Sequence, residues 1–267
     1  MSELSLQTLE KTASNYHELM VPALFVERAE QVADKADIKP GDRVLDVACG
    51  TGVLTRIAAD RTGDKELVAG LDVNPGMLAV AENLSPGIDW REGAAEELPW
   101  DDHSFDVVVS QFGLMFFEDK PRALREMNRV LKSGGRLVVA VFDSLENNPG
   151  YKAMVEILAD IAGEDVAQAL RFPFSLGDPD ELKSLCKKSG LDSAEIITHN
   201  NNVRFPDART MVLADVKGWF PLAGISLNDQ QIDEVVTRLT STLDEYILDD
   251  GSVEFPMPAH FILATKT

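Results

Sequence analysis

The chain has only two cysteines, Cys49 and Cys186, in 267 residues. Two thiols so far apart exclude a disulfide framework and fit a reducing compartment, so a cytoplasmic protein is expected. Long apolar runs are missing too. No stretch approaches the roughly twenty residues that a membrane-spanning helix needs, so no membrane partner is expected. The first residues carry Glu3, Glu10, Glu18, Glu27 and Glu30, without a basic segment leading into an apolar one, so no secretory leader is expected. Bases are scarce: 25 Lys and Arg face 45 Asp and Glu, a net charge of −20. A protein that tracks phosphates wants a basic face, so nucleic acid is an unfavourable substrate and the acidity reads first as solubility. Residues 229–254 hold eight acids against the single base Arg238, which reads as a solvated helical face. The four histidines, His17, His103, His199 and His260, are scattered, none at ligand spacing to a cysteine or acid pair, so no metal site is expected. Nucleophile elbow, P-loop and CxxC are absent, as are internal repeats.

What stands out instead is VLDVACGTG, residues 44–52. An apolar strand pattern ends in a turn of small residues. Twenty positions past Gly52, a second apolar run ends in Asp72. Glycines let a backbone approach a ligand closely, and a carboxylate at the end of the second strand can reach ribose hydroxyls. A dinucleotide turn wants G-x-G-x-x-G, but here Gly50-Thr51-Gly52 is followed by Val53, Leu54 and Thr55. Asp46, four residues before Gly50, would repel phosphate and suit an ammonium group. The ligand so described has a ribose, no phosphate and an amino-acid tail.

VLDVACGTG resembles the first motif of class I S-adenosylmethionine (SAM)-dependent methyltransferases. GLDVNPGML (70–78), GAAEELPW (93–100), FDVVVSQFGLMFF (105–117) and RVLKSGGRLVVAVF (129–142) resemble the motifs that follow, in the family's order and spacing across about residues 40–143. The similarity is greatest to the small-molecule branch that includes ubiquinone- and menaquinone-type methyltransferases. The resemblance implies an α/β, Rossmann-like sheet of seven strands with the last strand antiparallel, helical lid insertions, and SAM as cofactor. One departure is Ala94, where the family often has an acid after the glycine of the adenine loop. Adenine recognition then falls to backbone groups or to Glu96.

Strand patterns are expected at 43–48, 66–72, 88–92, 105–110 and 136–142. Helices are expected at 52–60, 75–83 and 120–132, the last stopped by Gly134-Gly135. Residues 4–36 read as helical with a break at Pro22. Further helices are expected at 151–162, 164–170, 178–189, 208–220 and 229–248, and single strands at 191–205 and 254–265. The expected organisation is an N-terminal helical cap (1–36), a SAM-binding core (37–144), a lid insertion (145–177), a core helix and sixth strand (178–205), a second lid insertion (206–250) and the seventh strand (251–267).

On this map Asp72 grips the ribose, Val73 and Met77 lie by the adenine, and Ala94, Ala95 and Glu96 border it. Helix core is the lesser reading of Met77, and Glu96 reads equally as a surface acid. Gly50, Thr51 and Gly52 form the turn. Asp46 either sits near the cofactor amine or caps a helix N-terminus. Tyr16 and His17 either close over the cofactor or belong to an ordinary amphipathic helix. Gln111 bonds cofactor or substrate, or satisfies loop backbone. Phe112, Met115 and Phe116 form a substrate floor or local core, and Trp219 and Phe220 line the lid cavity or fill the lid core. The catalytic residue is unknown, with His17, Gln111 and His199 as candidates for a base; His199 and His260 could meet across the late strands.

The expected activity is transfer of a methyl group from SAM to oxygen or carbon of a small, largely apolar molecule, by a monomer or homodimer. The alternatives are a SAM-binding protein without turnover and, on a similar sheet, an NAD-dependent oxidoreductase. The N/D-P-P-[YF] signature of base-directed nitrogen methylation is replaced by Ser110-Gln111-Phe112-Gly113.

Overall fold

A computed structural model describes residues 5–267; residues 1–4 of the expected cap lie outside the described residues. The first strand, β1 (Val44–Val47), is buried along its whole length. It lies parallel between β2 (Val68–Asp72) and β4 (Phe105–Gln111), as a continuous apolar run dictates. The outer strand β3 (Asp89–Glu92) pairs with β2, and β5 (Leu131–Phe142) with β4. The last strand, β9 (Ala259–Thr265), runs antiparallel between β5 and β6 (Glu195–His199). The order of the seven-stranded sheet is β3-β2-β1-β4-β5-β9-β6, with seven strands and an antiparallel last strand as expected.

Helices start where side chains supply caps. In α4 (Pro75–Leu84), Asn74 accepts from the amides of Gly76 and Met77, with Pro75 in the first turn. Asp178 does the same for α8 (Pro179–Lys188), and α10 (Asp229–Thr242) opens with a reciprocal Asn228–Gln231 box. The cap is α1 (Leu6–Leu19), a π-helical turn at Val21–Phe25 around Pro22, and α2 (Val26–Lys35). It packs tightly on α4, because a Cβ at Gly76 would stand 2.4 Å from the Leu9 backbone.

Several boundaries differ from the sequence reading. The helix at 120–132 stops earlier, as α5 (Lys120–Val130), and β5 already begins at Leu131. Leu131 pairs with Phe105 before an irregularity lets the register resume at Arg136, so pairing overrides helix propensity here. Neither late strand is single. Residues 191–205 divide into β6 and β7 (Asn202–Phe205), and 254–265 into β8 (Val253–Pro256) and β9. The register does not slip across the break: His199 faces Ala259 and Asn202 faces Pro256. Pro258 has no amide to donate, so the ladder opens there and bends. The β7–β8 pair thus extends beyond the carboxyl ends of the parallel strands. The segment at 208–220 is helical as α9 (Ala208–Ala214), widens into a π-helical stretch, Asp215–Trp219, and tightens at Phe220–Ala223. The helix at 229–248 ends at Thr242.

The remaining helices are α3 (Val53–Thr62), α6 (Pro149–Ala162) and α7 (Glu164–Arg171). The two segments expected as a lid are joined. Trp219 Nε1 donates to the Ala169 carbonyl of α7 at 3.1 Å, and Arg238 on α10 pairs with Asp160 on α6 at 2.8 Å.

Candidate functional site

A cavity of about 550 Å³ opens at the carboxyl ends of the parallel strands. Its wall takes Ala48 and Gly50 from the end of β1, Asp72 and Val73 from β2, Gln111 to Gly113 from β4, and Phe142 from β5. This is the crevice where strand order reverses, the general place for ligands on such sheets. The N-terminal helices add Tyr16, Met20 and Phe25, and the two segments expected as a lid add Tyr151, Phe174 and Trp219.

The polar end is built around Asp72. Its Oδ2 accepts the Gly50 amide at 2.8 Å and its Oδ1 the Asn74 amide at 2.9 Å. The carboxylate is therefore locked across the gap between the first turn and α4, with lone pairs left for a diol. Burial pushes its pKa up, against the pull of those amides. Gly50 stands at φ +55° with open space where a Cβ would be. Met77, Ala94, Ala95 and Glu96 line the same end, and Val73 is 66% exposed beside them. Tyr16 faces it from α1; burial and the nearby Asp72 both raise the pKa of its hydroxyl. Gln111 Nε2 donates to the Phe25 carbonyl at 3.0 Å, while its Oε1 has no partner among the described residues.

Two non-glycine residues hold positive φ here: Ala48 at 59° and Phe112 at 54°. They flank the switch point, and such strain persists only where its surroundings enforce it. Gly113 shows the enforcement, since a Cβ there would stand 2.6 Å from the Ala48 Cβ. The sequence reading missed this constraint; a glycine directly after a strand-end aromatic was its only trace.

From Tyr16 an aromatic row runs towards the lid. Ring centroids are 5.3 Å apart for Tyr16–Phe25, 5.8 Å for Phe25–Phe112 and 3.8 Å for the stacked Phe112–Phe142 pair. Phe174 continues it at 5.4 Å, and Tyr151 follows at another 5.4 Å. Phe116, 42% exposed, meets Trp219 at 5.2 Å across the mouth.

Other expected site residues lie outside this lining. Asp46 is buried behind it, and its Oδ2 accepts from Thr55 Oγ1, in the first turn of α3, at 2.6 Å. Its Oδ1 has no partner among the described residues, and burial pushes its pKa up to about 7. Thr51 is buried and binds His17 Nδ1 through Oγ1 at 2.9 Å. His17 is thus a tie between α1 and the turn; burial and Arg56 lower its pKa, which keeps it neutral. Gly52 makes room for a ring rather than a ligand, because its Cβ would meet the Trp90 indole at 2.4 Å. Met115 and Phe220 are fully buried core, so the substrate floor falls to Phe112 and Phe116. His199 is exposed on the edge strand beside Gln31, at 3.2 Å, away from the cavity. It cannot meet His260, which faces the other side of the sheet and binds Thr198 at 2.8 Å and the Gly177 carbonyl at 3.1 Å. No group of three or more metal-ligating side chains occurs among the described residues, and no helix there is long and apolar enough to cross a membrane.

Comparison with known proteins agrees with this geometry. Residues 45–139 match the family model described as a methyltransferase domain. A ubiquinone/menaquinone biosynthesis C-methyltransferase from Xanthomonas oryzae is 45% identical over 116 residues, 41% of this chain and 46% of the relative. The chain thus spans about half the length of the first curated relatives it matches. The corresponding enzyme of Hahella chejuensis is 34% identical over 177 residues, 59% of this chain and 70% of the relative. Among solved structures, phosphoethanolamine N-methyltransferase 2 of Haemonchus contortus, in complex with SAM, superposes with a TM-score of 0.62 at 19% identity, covering 99% of this chain and 60% of that one.

Proposed function

The chain belongs to the class I SAM-dependent methyltransferases, and from that premise we propose that it methylates a small, largely apolar molecule at oxygen or carbon. The carrying observation is that one continuous cavity joins the Asp72 end to an aromatic end under the lid. The residues fit the cofactor. Asp72 presents its remaining lone pairs to the ribose diol, and the bare Gly50 backbone leaves room for the amino-acid tail. Met77, Val73, Ala95 and Glu96 border the adenine, with Ala94 beside them, and Tyr16 and Gln111 close the tail from above. Asp46, whose pKa burial raises to about 7, supplies a negative field behind the turn once it ionises above that pH. When bound, the sulfonium supplies an already activated methyl group whose charge disappears on transfer, so a dry apolar surround favours reaction. Phe112, Phe116 and Trp219 provide that surround and hold the acceptor in line, an alignment that can contribute ~7 kcal/mol. Such a cavity calls for no macromolecular partner, and the net charge of −20 disfavours nucleic acid. Cys49 and Cys186 are both buried and unpaired, which fits the cytoplasm.

Calorimetry with SAM, its demethylated product S-adenosylhomocysteine and NAD tests the premise of the site: the first two bind and NAD does not. Tight NAD binding without SAM binding reverses the reading. Labelled SAM with a panel of phenols, quinols and amines then tests transfer; binding without transfer to any acceptor leaves a cofactor-binding protein.

Trp219 separates substrate contact from lid packing. Trp219→Ala is expected to lower turnover of an apolar acceptor ~10-fold or more while homocysteine-product affinity changes little, because the ring faces the acceptor end. A lowered melting temperature with activity per folded molecule kept would instead make the ring lid packing.

A further inference from the structure

The lid end of the cavity holds two polar groups that the reading above leaves unused. Tyr151, in the first turn of α6, and Asp215, the first residue of the π-helical stretch, both line the cavity and are each 2% exposed. Tyr151 Oη and Asp215 Oδ2 complete no hydrogen bond of good geometry among the described residues, to each other or to any third group, although the two stand close enough for each to shift the other's pKa. Buried polar groups are normally satisfied, and π-helical turns recur at functional sites. Their setting is otherwise apolar. Tyr151 packs against Phe174 and Phe255, and Gly150 lets the Phe255 ring in where a Cβ would stand 2.5 Å from it. Gly218, in the same π stretch as Asp215, lies against the Tyr16 backbone, where a Cβ would stand 3.0 Å from the Tyr16 Cα, so α1 braces this wall.

We propose that Tyr151 and Asp215 hold the hydroxyl group of an uncharged acceptor molecule, Asp215 taking its proton and Tyr151 donating a hydrogen bond to its oxygen; this rests on the methyl-transfer reading. In that step the acceptor's O–H bond breaks and an O–H bond forms on the Asp215 carboxylate. The electron pair stays on the acceptor oxygen, where the Tyr151 hydroxyl holds it. An ordinary carboxylate is poorly matched to such a proton, since the best base has a pKa near the working pH. Burial pushes Asp215 up to about 8, with the Tyr151 hydroxyl pulling part of the way back. The other titratable groups on the elements packed here do not act on it. Tyr16 faces Asp72, and His17 faces Thr51 and Arg56. Arg209 on α9 pairs with Asp233 at 2.9 Å. Glu10, Lys11 and Glu18 on α1 and Lys217 on the π stretch contribute nothing to its shift, whose causes are burial and Tyr151 alone.

The test uses the full chain loaded with S-adenosylhomocysteine and titrated calorimetrically with 2-naphthol or 2-methoxynaphthalene, which lacks the hydroxyl hydrogen. At pH 8.5 the naphthol is expected to bind about tenfold tighter than the ether, the scale of a hydrogen bond to a charged group. At pH 6.5, where Asp215 is protonated, that advantage shrinks. Asp215→Asn removes both the advantage and its pH dependence, and Tyr151→Phe weakens naphthol binding at both pH values. Affinity for S-adenosylhomocysteine stays within about twofold throughout, since neither group lies at the Asp72 end. Asp46 titrates in the same range but is intact in both variants, so the difference between them and the parent belongs to the pair. Equal binding of naphthol and ether, no naphthol binding, or parent-like behaviour of Asp215→Asn overturns the assignment. Failure of the parent chain to bind S-adenosylhomocysteine overturns the methyltransferase reading instead. Thermal melts check folding; if Asp215→Asn does not fold, the Tyr151→Phe result and the parent's pH dependence decide.

Discussion

Asp72→Ala lowers affinity for S-adenosylhomocysteine by about a hundredfold, the largest cofactor effect expected of any single residue in the cavity. Two losses combine. The carboxylate's hydrogen bonds to a ribose diol are charge-assisted, on the order of 2–3 kcal/mol in all, and each 1.4 kcal/mol is tenfold. The Gly50 and Asn74 amides, held at 2.8 and 2.9 Å, also lose their acceptor, so the first turn and the start of α4 are no longer fixed to each other. Melting of the free protein should move much less. Removing a buried carboxylate relieves the same desolvation that raises its pKa, and this offsets the two unpaired amides. Asp72→Asn is a sharper variant, since one side of an amide would turn N–H towards N–H. It should bind nearly as weakly as the alanine form. Calorimetry showing less than about a threefold loss for both would take the carboxylate off the ribose.

The Asp72 end was readable because local chemistry demands particular residues there. A turn at positive φ wants glycine at Gly50, a helix start wants Asn74-Pro75, and a strand end at the ligand edge wants an acid. These demands act over a few residues, so they leave marks in a row. Gly52 meets the same demand, at φ +76°, but what its missing side chain makes room for is the Trp90 ring, thirty-eight positions on and two strands across the sheet, which no local pattern shows. Met115 and Phe220 stayed open between cavity and core for a related reason. Apolar neighbours such as Met115 and Phe116 look alike in sequence, yet the short helical turn at Leu114–Phe116 aims one into the core and the other into the cavity. The late strands were placed correctly in the sheet but not divided, because only Pro258 marks the bend and the pairing register carries through it. Tyr151 and Asp215 had no local signature at all. They gain meaning only when α6 and the π-helical stretch meet across sixty-four residues of chain.

Asp46→Asn should change the sign of its effect on stability with pH. Asp46 in the folded protein has a pKa of about 7, against an ordinary 3.8. A carboxyl raised on folding binds its proton more tightly in the native state, so its contribution is fully present below pH ~4 and is lost as pH rises towards 7. At about 1.4 kcal/mol for each pH unit between those values, the ionised group costs on the order of 4 kcal/mol at pH 8. Asparagine escapes that cost. Its oxygen can still accept from Thr55, but its amide nitrogen inherits the place of the unpartnered Oδ1, which costs roughly 1–3 kcal/mol. The variant is therefore more stable than the parent at pH 8, by a few degrees of melting temperature, and less stable at pH 4. Asp72 and Asp215 titrate in both proteins, so the difference between the two curves isolates Asp46. Melting curves that stay parallel from pH 4 to 8 would mean that Asp46 ionises as an ordinary carboxylate. The same variant should bind S-adenosylhomocysteine several-fold more weakly at pH 8, because the negative field behind Ala48 and Gly50 favours an ammonium group there.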